Sequence, residues 1–495
     1  MSRIVVVGAG VGGLAAAARL AAGGHDVTVC EQSEVAGGKL GEQVVDTPVG
    51  TFRFDTGPSL LTVPQVFADL FHDTGAPLES VLDLVPLDPV ARYRFPDGTT
   101  LDACPDHDEV CRRMDAAFGG SAGADWHRLW QRAERIWTAT EGPFLRSPVS
   151  GAPALLRQAR HVRDLATIAP WRTLRDLGRS YLRDPRLRML LERYATYTGS
   201  DPRRAPAALA AVPYAELAFG GWYVRGGLRR IADALVARCT ELGVTLRTGT
   251  DVVSVDVAAG RVSGVTLAGG GRLPADVVVA NADANHLYTD LVPVPAALRR
   301  LRRATPSLSG FVLLLGVRGH TPGLAHHTVF FPADYDAEFD AVFGTPARPV
   351  EDPTLYLSVP DDPAAAPAGH EAWFVLVNAP RHGSGAGAVD WTDPGRADAY
   401  AARLLELLAD RGHDVRDRLL FTRIRTPADL ERDTRAVGGA IYGTSSNGPL
   451  AAFLRPANRS PLPGLFLVGG SAHPGGGLPL VVLSAQITAS LIGPA

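Results

Sequence analysis

Four consecutive apolar residues, Ile4-Val5-Val6-Val7, run directly into Gly8-Ala9-Gly10-Val11-Gly12-Gly13. Branched apolar residues in such a run predict a buried strand, and the glycines after it predict a tight turn and the start of a helix. The helix continues through Leu14 to Leu20, and a second strand, Asp26-Val27-Thr28-Val29, leads to Glu31. This is the strand–turn–helix–strand unit of a dinucleotide fold. Glycines there let the backbone approach a pyrophosphate at a helix N-terminus, and an acid roughly 20 residues on takes a ribose hydroxyl. Ala36-Gly37-Gly38-Lys39 then places two flexible residues and a cation just beyond the acid. Together these features predict an FAD site that includes Gly8, Gly10, Gly12, Gly13, Glu31, Gly38 and Lys39. Lys39 is the only lysine in the chain. It is either a survivor of a bias towards arginine or a cation for the FAD phosphates or ribose, and its place in the motif favours the second reading.

A chain of 495 residues is long enough for two or three domains around a large core. With 49 basic and 52 acidic residues spread along it, nothing indicates nucleic-acid binding. The cysteines Cys30, Cys104, Cys111 and Cys239 form neither a Cys-x-x-Cys pair nor a metal-ligand spacing, so no metal is expected and a reduced, cytoplasmic compartment fits best. The apolar first 24 residues resemble a signal peptide, but the glycine motif accounts for them better. From Ser460 to Ala495 there is no charged side chain, yet Pro461, Pro463, Pro474, Gly475, Gly476, Gly477 and Pro479 interrupt the stretch. A span needs about 20 uninterrupted apolar residues, so a buried strand and helix joined by a glycine turn are expected instead.

The fold class expected is α/β (α+β overall), with a discontinuous Rossmann-like FAD-binding domain and an inserted substrate-binding domain made of a mixed sheet and a helical region. The cofactor domain is assigned to 1–64, 220–291 and 436–495. The substrate domain takes 65–104 and 292–435, and 105–219 forms its helical part with possible membrane contact.

Several segments resemble the bacterial carotenoid desaturases of the phytoene desaturase type, within the FAD amine-oxidase-like superfamily. They are Phe54-Asp55-Thr56-Gly57-Pro58-Ser59-Leu60-Leu61, Arg225-Gly226-Gly227, Val279-Ala280-Asn281-Ala282-Asp283 and Leu465 to Pro479, the last with the signature His473-Pro474-Gly475-Gly476-Gly477. Residues 193–202 look closer to the branch acting on already unsaturated or end-modified carotenoids. The resemblance implies that Gly57, Pro58, Val252, Gly470, Gly477 and Leu478 join the FAD site, with a helix N-terminus beside the flavin. His473 is the sharpest catalytic candidate and Asp55 the second, although each also reads as a turn-fixing residue. Trp222, Tyr223 and Arg225 are candidates for a substrate channel, or for ordinary packing and solvation.

The activity implied is transfer of a hydride to FAD from a long hydrophobic, carotenoid-like substrate, leaving a carbon–carbon double bond. The alternatives are a same-fold oxidoreductase or isomerase for another hydrophobic metabolite, and a non-catalytic flavin- or lipid-binding protein. Many amine-oxidising relatives hold a water with a lysine; this chain has no lysine beyond Lys39, which disfavours that chemistry. Leu155 to Leu191 mixes apolar residues with Arg157, Arg160, Arg163, Arg172, Arg175 and Arg179, which reads equally as an interfacial helix on the inner face of the cell membrane or as a solvated helix face.

Overall fold

A computed structural model describes residues 1–149, 166–449 and 451–495. Its organising element is a five-stranded parallel sheet in the order Thr245–Arg247, Asp26–Cys30, Arg3–Val7, Val277–Ala280, Leu465–Leu467. The strands come from the beginning, the middle and the end of the chain. Arg3–Val7 lies at the centre, so Ile4 to Val7 are held from both sides by ladders to residues more than 20 positions away. Because side chains alternate across a strand, Ile4 and Val6 pack on one face while Val5 and Val7 pack on the other.

The first face is covered by three helices, Val11–Ala22, Arg229–Glu241 and Leu478–Ile492. Ala15, Ala16, Ala17 and Ala18 are all buried. Short side chains on this helix let its neighbours approach closely, and Leu478–Ile492 is correspondingly apolar around most of its circumference.

A second, seven-stranded sheet has the order Leu419–Arg425, Ser309–Arg318, His370–Ala379, Leu355–Ser358, His327–Phe330, Ala91–Arg94, Thr100–Ala103. It is antiparallel except where His327–Phe330 meets Ala91–Arg94. Phe311, Leu313, Leu315 and Val317 of its long strand pack on Leu404 and Leu408 of helix Arg396–Asp410. Gly310 and Val312, which point the other way, face a cavity. Above the far end of this sheet lies a helical cluster that includes His107–Phe118, Ala122–Thr140, Leu174–Tyr181, Pro185–Arg193 and Ala211–Phe219. In Ala122–Thr140, Trp126 is buried, while Trp130 and Trp137 are half-buried against aromatic neighbours. The molecule is thus α/β in its cofactor-type sheet and mixed elsewhere.

The basic stretch expected at Leu155 to Leu191 is not one amphipathic helix. Arg157, Arg160 and Arg163 lie outside the described residues. The remainder forms two short helices, in which Arg175 turns inward to Glu192 and Asp336 and Arg186 pairs with Asp184 and Asp97. Among the described residues no helix is long and apolar enough to cross a membrane.

Candidate functional site

A continuous cavity of about 1990 Å³ runs from the C-terminal edge of the parallel sheet to the inner face of the seven-stranded sheet. At the sheet edge its wall is the glycine loop. Gly8 has φ +99°, a conformation costly for any residue with a Cβ. A Cβ on Gly10 would sit 2.6 Å from Asn281 Oδ1, and one on Gly12 would sit 2.9 Å from the Gly469 Cα. Gly13 lies behind the wall; its missing Cβ would be 2.2 Å from the Gly8 carbonyl, so it serves the contact between helix and strand. Helix Val11–Ala22 begins at Gly10 with no side-chain cap and no acid in its first turn. Its N-terminal N–H groups and positive dipole end therefore face the cavity without a competing anion, which suits a pyrophosphate.

Glu31 follows the second strand and is buried on the cavity wall. Its Oε2 accepts from the Ala9 N–H at 2.7 Å and its Oε1 from the Ser33 N–H at 3.0 Å. The carboxylate is thereby fixed beside the glycine loop with acceptor capacity left for a pair of hydroxyls. Gly38, Gly57, Pro58 and Val252 line the same cavity, as do Gly470, Gly477 and Leu478 from the last turn. Gly477, at φ +105°, starts helix Leu478–Ile492, again without a side-chain cap or an acid in the first turn. Two uncapped helix N-termini thus open on one cavity.

Lys39 also lines the cavity, but its Nζ donates to the carbonyls of Ala440 and Ile441 at 2.8 and 2.7 Å. Burial lowers its pKa to about 8, partly offset by the charge of Asp283. In this geometry the cation joins the N-terminal motif to the segment before the last strand.

Several expectations are corrected by position. His473 is buried and does not line the cavity. Its Nε2 lies 2.8 Å from the Phe144 carbonyl and 3.0 Å from that of Ser147, and its ring packs edge-on against Phe144. Burial pushes its pKa down to about 4, so the neutral imidazole donates to these carbonyls. Asp55 also lies off the cavity. Its carboxylate accepts from the Leu228 and Arg229 N–H groups at 2.8 and 2.9 Å, serving as a cap for helix Arg229–Glu241. None of the three channel candidates reaches the cavity. Trp222 donates to the Phe219 carbonyl, the Tyr223 hydroxyl donates to Asp362, and Arg225 pairs with Asp83 at the surface. Trp222 and Tyr223 belong to strand Gly221–Val224, which is paired on both edges, and Arg225 follows it directly.

The structure brings in residues that sequence reasoning did not single out. Asn281 sits between the glycine loop and Gly469 and donates to the Val468 carbonyl. Arg229 lines the cavity and reaches the Ala36 carbonyl of the Gly37-Gly38 turn. Arg455, fully buried, donates to the carbonyls of Tyr442, Thr444 and Gly470. Asn281 was visible as part of a matched segment; isolated arginines carry no local signal in a chain with so many.

The chain was compared with known proteins. The family model described as flavin containing amine oxidoreductase matches residues 11–493. A 4,4'-diapolycopene oxygenase of a Methylomonas species is 35% identical over 496 residues, 98% of this chain and 97% of that one. A hydroxyneurosporene desaturase of Rubrivivax gelatinosus is 36% identical over 503 residues, 99% and 93% of the two chains. Among solved structures, an oxidoreductase from Methanosarcina mazei superposes with a TM-score of 0.65 at 16% identity, covering 99% of both chains, a likeness of fold.

Proposed function

The chain belongs to the flavin-containing amine oxidoreductase family, among its carotenoid desaturases and oxygenases, and on that premise we propose that it is an FAD-dependent carotenoid desaturase. It is a flavin-dependent oxidoreductase; the cofactor is FAD and the substrate a long acyclic polyene. The observation that carries this reading is the single cavity, which joins a dinucleotide cradle to a volume walled by side chains such as Leu308, Val312, Phe374, Leu376 and Ile441. The reading carries with it the proposed discontinuous division, in which 1–64, 220–291 and 436–495 would hold the cofactor and the rest the substrate.

When bound, FAD supplies the hydride acceptor. The chain's own groups do the remaining work. The glycine loop and the helix start at Gly10 would hold the pyrophosphate of FAD, and Glu31 its adenosine ribose. The uncapped helix N-terminus at Gly477 would offer its dipole to negative charge on a bound flavin. The apolar walls exclude water and keep the extended substrate aligned. His473 and Asp55 spend their hydrogen bonds on backbone groups, His473 on the Phe144 and Ser147 carbonyls and Asp55 on the Leu228 and Arg229 N–H groups. Membrane contact is assigned to the cavity mouth, where Trp171 is both exposed and part of the lining.

Pigment spectra of cells accumulating phytoene, neurosporene or lycopene, each co-expressing this chain, test the reading. A red-shifted product in one strain, absent with Gly10→Val, is expected. Unchanged spectra in all three strains, with flavin-loaded protein present, would refute it. Because one relative is named an oxygenase, the product mass also separates loss of two hydrogens from gain of oxygen.

A further inference from the structure

Ser59 directly follows Gly57 and Pro58, whereas Tyr356 belongs to strand Leu355–Ser358 of the seven-stranded sheet. Both line the cavity, and their hydroxyls lie 2.7 Å apart, so they join its glycine-lined side to its apolar side. Behind them stands His327, the first residue of strand His327–Phe330 and fully buried. The two strands pair with Val329 opposite Tyr356, which puts His327 and Tyr356 on one face of the sheet. The imidazole stacks on the Tyr356 ring at 5.6 Å between centroids, and its Nδ1 lies 2.8 Å from the Tyr356 hydroxyl.

This histidine differs from the buried His473, which is committed as a donor to two backbone carbonyls. Among the described residues, the Tyr356 hydroxyl is the one hydrogen-bond partner of the His327 ring, and Nε2 has none. Burial, reinforced by His326 and by the charge of Arg193, holds the ring neutral, so one of its nitrogens keeps a lone pair. An imidazole nitrogen accepts more strongly than a phenol oxygen, and a phenol donates more strongly than an aliphatic hydroxyl. The chain of hydrogen bonds therefore runs from Ser59 to Tyr356 and from Tyr356 to the lone pair of His327 Nδ1.

Forming a carbon–carbon double bond breaks two C–H bonds. One hydrogen leaves with its electron pair for the flavin, which is reduced by two electrons. The other leaves as a proton, and its electron pair becomes the new double bond. We propose that Tyr356 accepts this proton and passes its own to His327 Nδ1, with Ser59 holding the phenol in line. The C–H bond breaks as a bond from hydrogen to the Tyr356 oxygen forms, and the old Tyr356 O–H bond breaks as an N–H bond forms on His327. A weak base suffices, because a C–H beside a carbon that has lost hydride is strongly acidic. Burial and Arg193 disfavour the charged imidazole, so the proton does not stay there. His326 is the next titratable group outward, half-buried, with its ring 4.6 Å away and under the charges of Asp362 and Asp361. Tyr356 is thus the catalytic residue, and His327 a positioning residue that acts through it. The proposal rests on the desaturation reading above.

Two measurements on the holoprotein test the relay. In nitrogen NMR with isotopically labelled histidine, the Nδ1 of His327 is recognised by its shift in Tyr356→Phe and should resonate as an unprotonated nitrogen. A protonated Nδ1 reverses the chain of hydrogen bonds and overturns the relay, whatever the substrate proves to be. The second is anaerobic flavin reduction by whichever of phytoene, neurosporene and lycopene bleaches the wild type. Tyr356→Phe and His327→Gln should each be slower by about 100- to 10,000-fold, the range for a general base. The double variant should be no slower than the slower single one, because the two residues act as a unit. Glutamine can accept the Tyr356 hydrogen bond but cannot take the proton, so it separates the relay from packing. Reduction of the flavin by dithionite should be unchanged in all variants. A rate close to wild type in Tyr356→Phe overturns the relay and leaves the carotenoid reading standing, and so does a slowing that dithionite reduction shares. If none of the three polyenes bleaches the wild-type flavin, the carotenoid reading itself falls, and the relay with it.

Discussion

Each glycine of the N-terminal loop answers a different steric demand, which makes single substitutions informative. An alanine at Gly13 would put its Cβ 2.2 Å from the Gly8 carbonyl, a distance that only backbone movement can relieve. Gly13→Ala should therefore separate helix Val11–Ala22 from the central strand and abolish flavin retention, read as the ratio of 450 nm to 280 nm absorbance after gel filtration. Asp55 supports a prediction of the opposite kind. Burial raises its pKa to about 6, against the two backbone N–H groups that favour its charged form. A raised folded-state pKa gives a stabilising contribution that is complete below the unfolded value near 3.8 and is lost as pH rises through about 6. Asp55→Asn, which cannot titrate, loses one of the two cap hydrogen bonds at a cost of about 1–3 kcal/mol. The gap in Tm between wild type and variant should widen as pH falls from 6 to 4, and a gap independent of pH would disprove the assignment. The rate of flavin reduction per bound flavin should be unaltered. Both positions show what a sequence reveals. The glycine was legible because its spacing follows from pyrophosphate chemistry, whereas the partner of Asp55 lies 173 residues away and leaves no local trace.

Short elements that join distant parts of the chain hold the cofactor end of the cavity together. The segment 440–444 is gripped from two sides: Lys39 donates to Ala440 and Ile441, and Arg455 to Tyr442 and Thr444. Arg455 also holds the Gly470 carbonyl, so one guanidinium ties this segment to the turn before helix Leu478–Ile492. Replacing it with methionine removes three buried hydrogen bonds and leaves their carbonyls unpaired. At roughly 1–3 kcal/mol for each group, Arg455→Met should cost about 3 kcal/mol or more. Thermal denaturation should show a large fall in Tm, smaller when excess flavin is present. At this scale the parallel-sheet strands and the helices beside them were legible from periodicity. The strand Gly221–Val224 was legible as a segment, but not which way its side chains face. Its pairing with Leu61–Thr62 and Leu84–Pro86 is a tertiary fact, as are the partners of Trp222 and Tyr223, the Phe219 carbonyl and Asp362.

A carotenoid dissolves in a bilayer and not in water, so the proposed substrate would reach the cavity from a membrane surface; among the described residues no helix is long and apolar enough to cross one. The arginines named as lipid contacts contribute less than their number suggests, since Arg175 is engaged with Glu192 and Asp336, and Arg172 with the Asp176 carbonyl and Ser180. The better-placed group is Trp171, 69% exposed beside Ile168 and Pro170, which line the cavity with it. An exposed indole among apolar neighbours suits the bilayer interface, where its ring sits between hydrocarbon and headgroups. Adding phosphatidylcholine vesicles should shift the tryptophan emission of the wild type to the blue, and the shift should vanish in Trp171→Phe. Trp171→Glu should slow flavin reduction by vesicle-borne substrate several-fold while leaving reduction by detergent-dispersed substrate much less affected, because the carboxylate resists burial in the interface without touching the cofactor cradle. Equal slowing with both forms of substrate would place Trp171 in the passage of the substrate itself, and absence of any emission change would move membrane contact to another face of the molecule.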